Sequence, residues 1–272
     1  MQKMRIIIKK EGIKNWKLIK DNETLENLYK GKRCFVVGNG PSLNDIDFSR
    51  LENEYVFTVN MLMDHPDFMK LKSNFHVIAD AAIFNKHSAL GLEDNYFLNK
   101  FEILNECENL LFFAPLEARE AIEKIGLDKK IDVRYFAMAL GSRKITDIDI
   151  AGVMPSFNKV IHFALGIAIC LGFDEIYILG CEETSIETCI NLKLNGDADN
   201  AHCYDDSVEV KNSWSKQVEI YGMSWIYRQE AEVLDNYKNI AEYCKSKNID
   251  IYNLTKKSLI DSIPRKKIND VL

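Results

Sequence analysis

The stretch Arg33-Cys-Phe-Val-Val-Gly-Asn-Gly-Pro-Ser-Leu43 constrains the fold more than any other part of the chain. Arg33 to Val37 reads as a short buried strand that has to break at Gly38-Asn39-Gly40. Pro41 then opens a helix, at the position where its missing N–H is not needed. Strand, glycine turn and helix start form the opening unit of a parallel α/β sheet, and such sheets bind ligands beyond the carboxyl ends of their strands. Glycines let the backbone turn sharply and let another group come close. The first amides of a helix suit a phosphate or other anion. The expectation is that Gly38, Asn39, Gly40 and Ser42 offer bare N–H groups to an anionic ligand.

The rest of the sequence repeats the pattern. Tyr55–Val59, Phe75–Ala79, Leu110–Phe113, Ile131–Phe136, Glu175–Leu179 and Asp250–Tyr252 are β-rich runs. Helices are expected over about 95–105, from Ser156 as N-cap to Leu171 before Gly172, and over about 215–247. Residues 141–155 read as a loop, and Arg5 to Lys9 as an edge strand. Alternating strands and helices predict a mostly parallel sheet with helices on both faces, a Rossmann-like α/β fold. Residues 33–260 form its nucleotide-binding domain, between a basic arm over 1–32 and a basic tail over 261–272. The polar stretch 183–215 is too long for a plain connection and reads as a lid.

Each strand ends on residues able to read hydroxyls and amines: Gly38 and Asn39, Asn60, Asp80, Gly180 with Glu182, and Asn253. In a parallel sheet these ends share one edge, which points to a nucleotide. Several classes drop out. Position 43 is Leu, so the dinucleotide fingerprint lacks its third glycine, and there is no P-loop or nucleophile elbow. A formal charge of −6 argues against a general nucleic-acid binder. Residues 1–20 carry seven Lys/Arg against Glu11 alone, leaving −12 on the remainder of a chain totalling −6. A basic arm on an acidic body can touch an anionic membrane surface.

Seven cysteines without a Cys-x-x-Cys pair fit a reducing cytoplasm. Ile6-Ile7-Ile8 is too short for a secretory signal, and Phe163 to Phe173 too short to span a bilayer. Cys181, Cys189, His202 and Cys203 match no common zinc spacing. In the lid, Asp199-Asn-Ala-His-Cys-Tyr-Asp-Asp-Ser207 holds the candidates for proton transfer. His202 could take a proton from an acceptor hydroxyl, as could Asp206 or Asp205.

Val37-Gly-Asn-Gly-Pro-Ser-Leu43 with Asp47-Phe-Ser-Arg-Leu51 resembles the opening of bacterial family 42 sialyltransferases, and Ala164 to Gly180 carries a further match. Asn200 to Asp206 and Tyr252 to Leu259 match more loosely. The pattern is also similar to uncharacterised proteins encoded with bacterial surface-polysaccharide machinery, and to archaeal 6-hydroxymethyl-dihydropterin pyrophosphokinases. The sialyltransferase resemblance implies a glycosyltransferase-A-like variant of the fold, a CMP-activated sugar donor, inversion at the anomeric carbon, and no cofactor or metal. By that resemblance Gly38, Asn39, Gly40 and Ser42 contact the donor's phosphate and sugar. Asn60 and Asp80 face the nucleotide, Ser156 helps hold it, and Gly180 with Glu182 grips the ribose. Thr184 stands where the family has the first of two tyrosines on the leaving phosphate, and no Tyr falls at the second. Asp206 stands where the family has its catalytic histidine.

The function expected is an inverting glycosyltransferase, with His202 or Asp206 as base. The Gly40–Ser42 amides and the Tyr204 hydroxyl serve the leaving phosphate. The acceptor is a surface glycan or lipid-linked sugar. A cytoplasmic enzyme at the inner membrane face, drawn there by Lys9, Lys10, Arg265, Lys266 and Lys267, fits this reading, as does a homo-oligomer. The rivals are a Mg-dependent pyrophosphokinase using Asp80, Glu182, Asp205 and Asp206, and a non-catalytic subunit of polysaccharide assembly.

Overall fold

Every strand of the sheet lies parallel to its neighbours. The computed structural model describes residues 15–84, 101–139, 145, 147–197, 201–206 and 208–272. Its strands are β1 (Arg33–Val37), β2 (Tyr55–Val59), β3 (Phe75–Val77), β4 (Leu111–Pro115), β5 (Asp132–Met138), β6 (Val153–Met154), β7 (Glu175–Leu179) and β8 (Asp250–Asn253). They form one sheet in the order β6-β5-β4-β3-β2-β1-β7-β8. The chain lays strands outward from β1 on one side, then returns to place β7 and β8 on the other. The strand order therefore reverses between β1 and β7, and the crevice beyond their carboxyl ends is where such sheets take ligands.

Burial on both faces explains the near-continuous apolar strands. Within β1, Cys34 and Val36 pack into one core layer while Phe35 and Val37 pack into the other. The first layer is covered by the helix α2 (Val160–Cys170), in which Ile161 to Ile169 are all buried. A helix apolar on every side belongs inside a protein. It stops where expected, since Gly172 takes φ +87°. Tyr237 of the long helix α5 (Met223–Ser246) reaches the same layer. Further helices are α1 (Arg119–Ile125), α3 (Ser185–Asn195) and α4 (Val208–Tyr221), and residues 15–20 are helical too.

Several boundaries differ from the expectations. The helix at Pro41 is a single 3-10 segment, Pro41–Asp45. The central helix starts after Lys159, not at Ser156, because Lys159 is still extended at φ −133°. The loop over 141–155 yields β6, α1 was not anticipated, and the lid stretch holds α3. The single helix expected over 215–247 is two, broken at Gly222, whose φ is +71°. Of the helix expected over 95–105, only residues 101–105 are described, where a 3-10 segment spans Ile103–Glu106. The edge strand at Arg5, with Lys9 and Lys10, lies outside the described residues.

The arm and tail also belong to the body where they are described. Ile19 is fully buried, and Asn22 donates to the carbonyls of Tyr135 (2.8 Å) and Ile150 (2.9 Å). Ile263 is buried and the backbone at Arg265 bridges Asn253 of β8. Arg265 donates to the Ser258 carbonyl, and Lys266 lies 3.4 Å from the centre of the Tyr252 ring. Arg265 and Lys266 are therefore engaged with the body rather than carried on a free basic tail.

Candidate functional site

A cleft of about 810 Å³ opens where the strand order reverses. Gly38, Asn39, Gly40, Asn60, Asp80, Ser156, Gly180, Glu182, Thr184 and His202 all line it, so ten of the residues singled out in the sequence converge. They come from the carboxyl ends of β1, β2, β3 and β7, from the approach to α2, and from the segment before α4. Ser42, Tyr204 and Asp206 stand behind this wall.

The glycine turn does something other than expected. Gly38 N–H donates to the Leu179 carbonyl and Gly40 N–H to the Gly180 carbonyl, each at 2.8 Å. Pro41 has no N–H, and Ser42 N–H donates to Oε1 of Glu182 at 2.7 Å. The turn's amides at Gly38, Gly40 and Ser42 are thus spent inside the protein, and one of them already holds a carboxylate. The glycines are needed for approach rather than for twist, Gly40 having an ordinary φ of −70°. A Cβ on Gly40 would lie 1.4 Å from Oε2 of Glu182, and one on Gly38 would lie 2.4 Å from the Gly180 carbonyl oxygen. What comes close to the turn is the chain leaving β7.

That packing leaves acceptors unused. Glu182 is 7% exposed, and its Oε2 has no hydrogen-bond partner. Oδ1 of Asn60 and Oγ of Ser42 are likewise buried without partners. Asn60 is left-handed at φ +46°. Buried polar atoms without partners are costly and few in folded proteins. Three gathered at the ends of β1, β2 and β7 suit a ligand that brings hydroxyl or amine donors.

Across the cleft, Nδ1 of His202 is hydrogen-bonded to Oδ1 of Asp206, whose side chain is 3% exposed. The other carboxylate oxygen accepts from Ala201 N–H at 2.7 Å. Burial pushes the Asp206 carboxyl up, but the His202 bond and charge with the Ala201 amide outweigh it, leaving the group below the usual range. A carboxylate on Nδ1 fixes the imidazole's orientation and leaves Nε2 as the atom available to the cleft. Tyr204 backs this pair. Its ring stacks on His202 at 5.0 Å, and its hydroxyl is 3.3 Å from the Asn39 amide. In the orientation that satisfies both its ends, that amide donates to the carbonyls of Val59 (3.1 Å) and Gly38 (3.2 Å). Tyr204 therefore packs against His202 and is not among the residues that line the cleft.

In overall layout the chain is similar to a bacterial sialyltransferase. The sialyltransferase CstII from Campylobacter jejuni, in complex with a substrate analogue, cytidine-5'-monophosphate, matches at 16% identity and a TM-score of 0.46, over 87% of this chain and 85% of that one. A point variant of the alpha-2,3/8-sialyltransferase CstII matches at 16% identity and 0.45, over 86% of each chain. No family model matches the sequence, and no curated protein does. Likenesses this distant carry no argument about activity, so the functional reading rests on the cleft itself.

The sequence reading missed a second polar group at the cleft floor. Lys159 lines the cleft with Glu183, Ser185 and Trp214. Its Nζ is 2.5 Å from Oε2 of Glu183, 3.1 Å from Ser185 Oγ and 3.6 Å from Glu230. Tyr237 donates to the other Glu183 oxygen at 2.6 Å. The available signal was a lone lysine ahead of an apolar helix, which the assignment of Ser156 as cap obscured. Among the described residues no three His, Cys, Asp or Glu side chains are grouped to hold a metal. Cys181, Cys189 and Cys203 sit in three separate apolar clusters.

Proposed function

We propose that this chain is an inverting glycosyltransferase using a nucleotide-linked sugar, with His202 as general base and Asp206 as its orienting carboxylate. One observation carries the reading. The acid-held imidazole lines the same cleft as the partnerless oxygens of Glu182 and Asn60, so a base and a hydroxyl-binding pocket share one wall-to-wall space. Glu182 and Asn60 would accept from the ribose hydroxyls and from amines of the base or sugar.

The acceptor hydroxyl gives its proton to Nε2 of His202 as its oxygen attacks the anomeric carbon. The bond from that carbon to the phosphate oxygen breaks, and its electron pair leaves on the nucleotide. Because the amides of Gly38, Gly40 and Ser42 are spent, charge on the leaving phosphate falls to the hydroxyls of Ser156, Thr184 and Thr188, since Lys159, the one lysine or arginine among the described lining residues, is already paired with Glu183 and Glu230. A single phosphate suits so modest a cationic provision, which favours a CMP-linked donor over a diphosphate-linked one. The acceptor would be a surface glycan or its lipid-linked precursor, met at the inner membrane face. No described helix is long and apolar enough to cross a membrane.

The pyrophosphokinase reading loses one of its four carboxylates, since both oxygens of Asp206 are committed to His202 and Ala201. A thermal-shift panel of CMP, CDP, UDP, GDP and ATP, each with and without Mg²⁺, tests the proposal. Selective stabilisation by CMP without metal is expected. Selective stabilisation by ATP with Mg²⁺, or no shift with any nucleotide, overturns it.

A further inference from the structure

Glu182 and Glu183 are consecutive, yet their carboxylates serve opposite sides of the chain. Glu182 faces the β1 turn and takes Ser42 N–H, while Glu183 turns away toward Lys159 and Tyr237. The backbone makes this divergence possible, since Glu183 lies in the left-handed region at φ +57°. That conformation is unfavourable for a residue with a Cβ. It persists only where the surroundings impose it.

Here the surroundings are specific. Both Glu183 oxygens are engaged, one by the Lys159 ammonium and one by the Tyr237 hydroxyl. Lys159 is steadied by Ser185 Oγ and by Glu230, and Ser185 itself donates to Glu230 at 3.0 Å. The set ties the start of α2, the exit of β7 and the middle of α5 to a single residue. None of these bonds reaches Glu182 directly.

We propose that Lys159 and Tyr237 are positioning residues for Glu182: by holding Glu183 left-handed, they aim the neighbouring carboxylate at Ser42 N–H and keep Glu182 in the wall of the ligand pocket. The clause about the ligand rests on the glycosyltransferase reading; the aiming of Glu182 does not.

Amide hydrogen exchange of the full chain, followed by NMR without ligand, separates positioning from general support. The Ser42 amide reports the Glu182 contact, and the Gly38 amide, bonded to Leu179, reports the sheet beside it. Lys159→Met should speed exchange at Ser42 by at least about 10-fold while Gly38 stays unchanged. Glu183→Ala removes both anchors and keeps the Cβ that disfavours a left-handed φ, so it carries the test alone where K159M does not fold. Lys159→Arg should restore Ser42 protection. Ser42 remaining as protected in E183A as in the wild type overturns the proposal, as does loosening of Ser42 and Gly38 together. CMP affinity of the same variants should fall in step with Ser42 protection. A wild type that binds no nucleotide would sink the functional reading, and the exchange rates would still decide this one.

Discussion

The two edges of the sheet are built from the same strands and treated in opposite ways. Where the chain enters β1, β7 and β8, polar groups find partners within the protein. Gly31 N–H donates to Asp174 Oδ2, Asp174 N–H to the Lys32 carbonyl, and Asp250 N–H to the Asp174 carbonyl. Arg33 is paired with Glu54. Where the chain leaves β1, β2 and β7, it carries left-handed φ at Asn60, Gly180 and Glu183, and partnerless oxygens on Ser42, Asn60 and Glu182. Left-handed residues also lead into the strands, at Gly31, Lys72, Asn109, Gly172 and Asn248, so it is the partnerless oxygens that set the exit edge apart and mark the place where a ligand completes the structure. Among the described residues, no buried side-chain atom without a partner stands at the entry to β1, β7 or β8.

The largest expected contrast lies in chemistry. His202→Ala should lower the transfer rate by at least about 100-fold, with a modest fall in melting temperature because Oδ1 of the buried Asp206 loses its partner. Asp206→Asn should lose less, since His202 remains but its orientation is no longer held by a charge. Release of nucleotide from the donor measures both. A scaffold protein would lose nothing of its role in either variant, and that result would reduce the exit edge to a surface with unmet hydrogen bonds.

A second contrast is with pH, and it comes from the interior behind the cleft. His162 is fully buried with neither ring nitrogen partnered, and burial lowers it to about 3. Burial lowers His76 to about 3 as well. In the unfolded chain both take a proton near pH 6.5, so their contribution to stability is intact above that value and is lost as pH falls toward 3. At pH 5 each should cost about 2 kcal/mol. His162→Phe, which keeps a ring against Tyr237 and Phe157, should remove one of the two terms. Its denaturation midpoint should match the wild type at pH 7.5 and exceed it at pH 5. Equal midpoints at both values would mean that His162 gains a proton in the folded state.

Much of the exit edge could be read from sequence, because the signals are local. β1, β2 and β7 end where their apolar runs meet Gly38, Asn60 and Gly180, and the stop at Gly172 needs only one left-handed glycine. What stayed hidden is non-local. Glu182 fills the glycine turn through a bond spanning 140 positions of sequence, so the turn looked like an open anion site. Lys159 gains its meaning from Glu183 and Glu230 on two other elements. The break at Gly222 was invisible because the helical pattern continues on both sides of it. His202 and Asp206 appeared as competing bases, and only their contact makes one the holder of the other.

Glu182→Gln sharpens the comparison at the binding step. The amide keeps an acceptor for Ser42 N–H but replaces the other oxygen with a donor facing ligand hydroxyls. Affinity for the nucleotide should fall about 10-fold, while thermal stability holds or rises because a buried, half-satisfied carboxylate is gone. Titration calorimetry beside a melting curve tests both halves. Reduced stability with unchanged affinity would assign Glu182 to the architecture instead.

The smallest effect belongs at the entry edge, where the same kind of change should do the reverse. Asp174 is exposed, but its Oδ2 accepts from Gly31 N–H at 2.8 Å, closing the turn that leads into β1. Asp174→Ala removes that acceptor and leaves the amide to water, so the expected cost is about 1 kcal/mol. For a chain of this size that is a fall of roughly 2–4 °C in melting temperature. Nucleotide affinity should not change, because the turn sits at the far end of β1 from Gly38 and the strand between them is held by β2 and β7 on its two sides. If affinity fell with stability in this variant, the two edges would be coupled through β1. The unmet hydrogen bonds at the cleft would then be a property of the whole sheet rather than of its exit side.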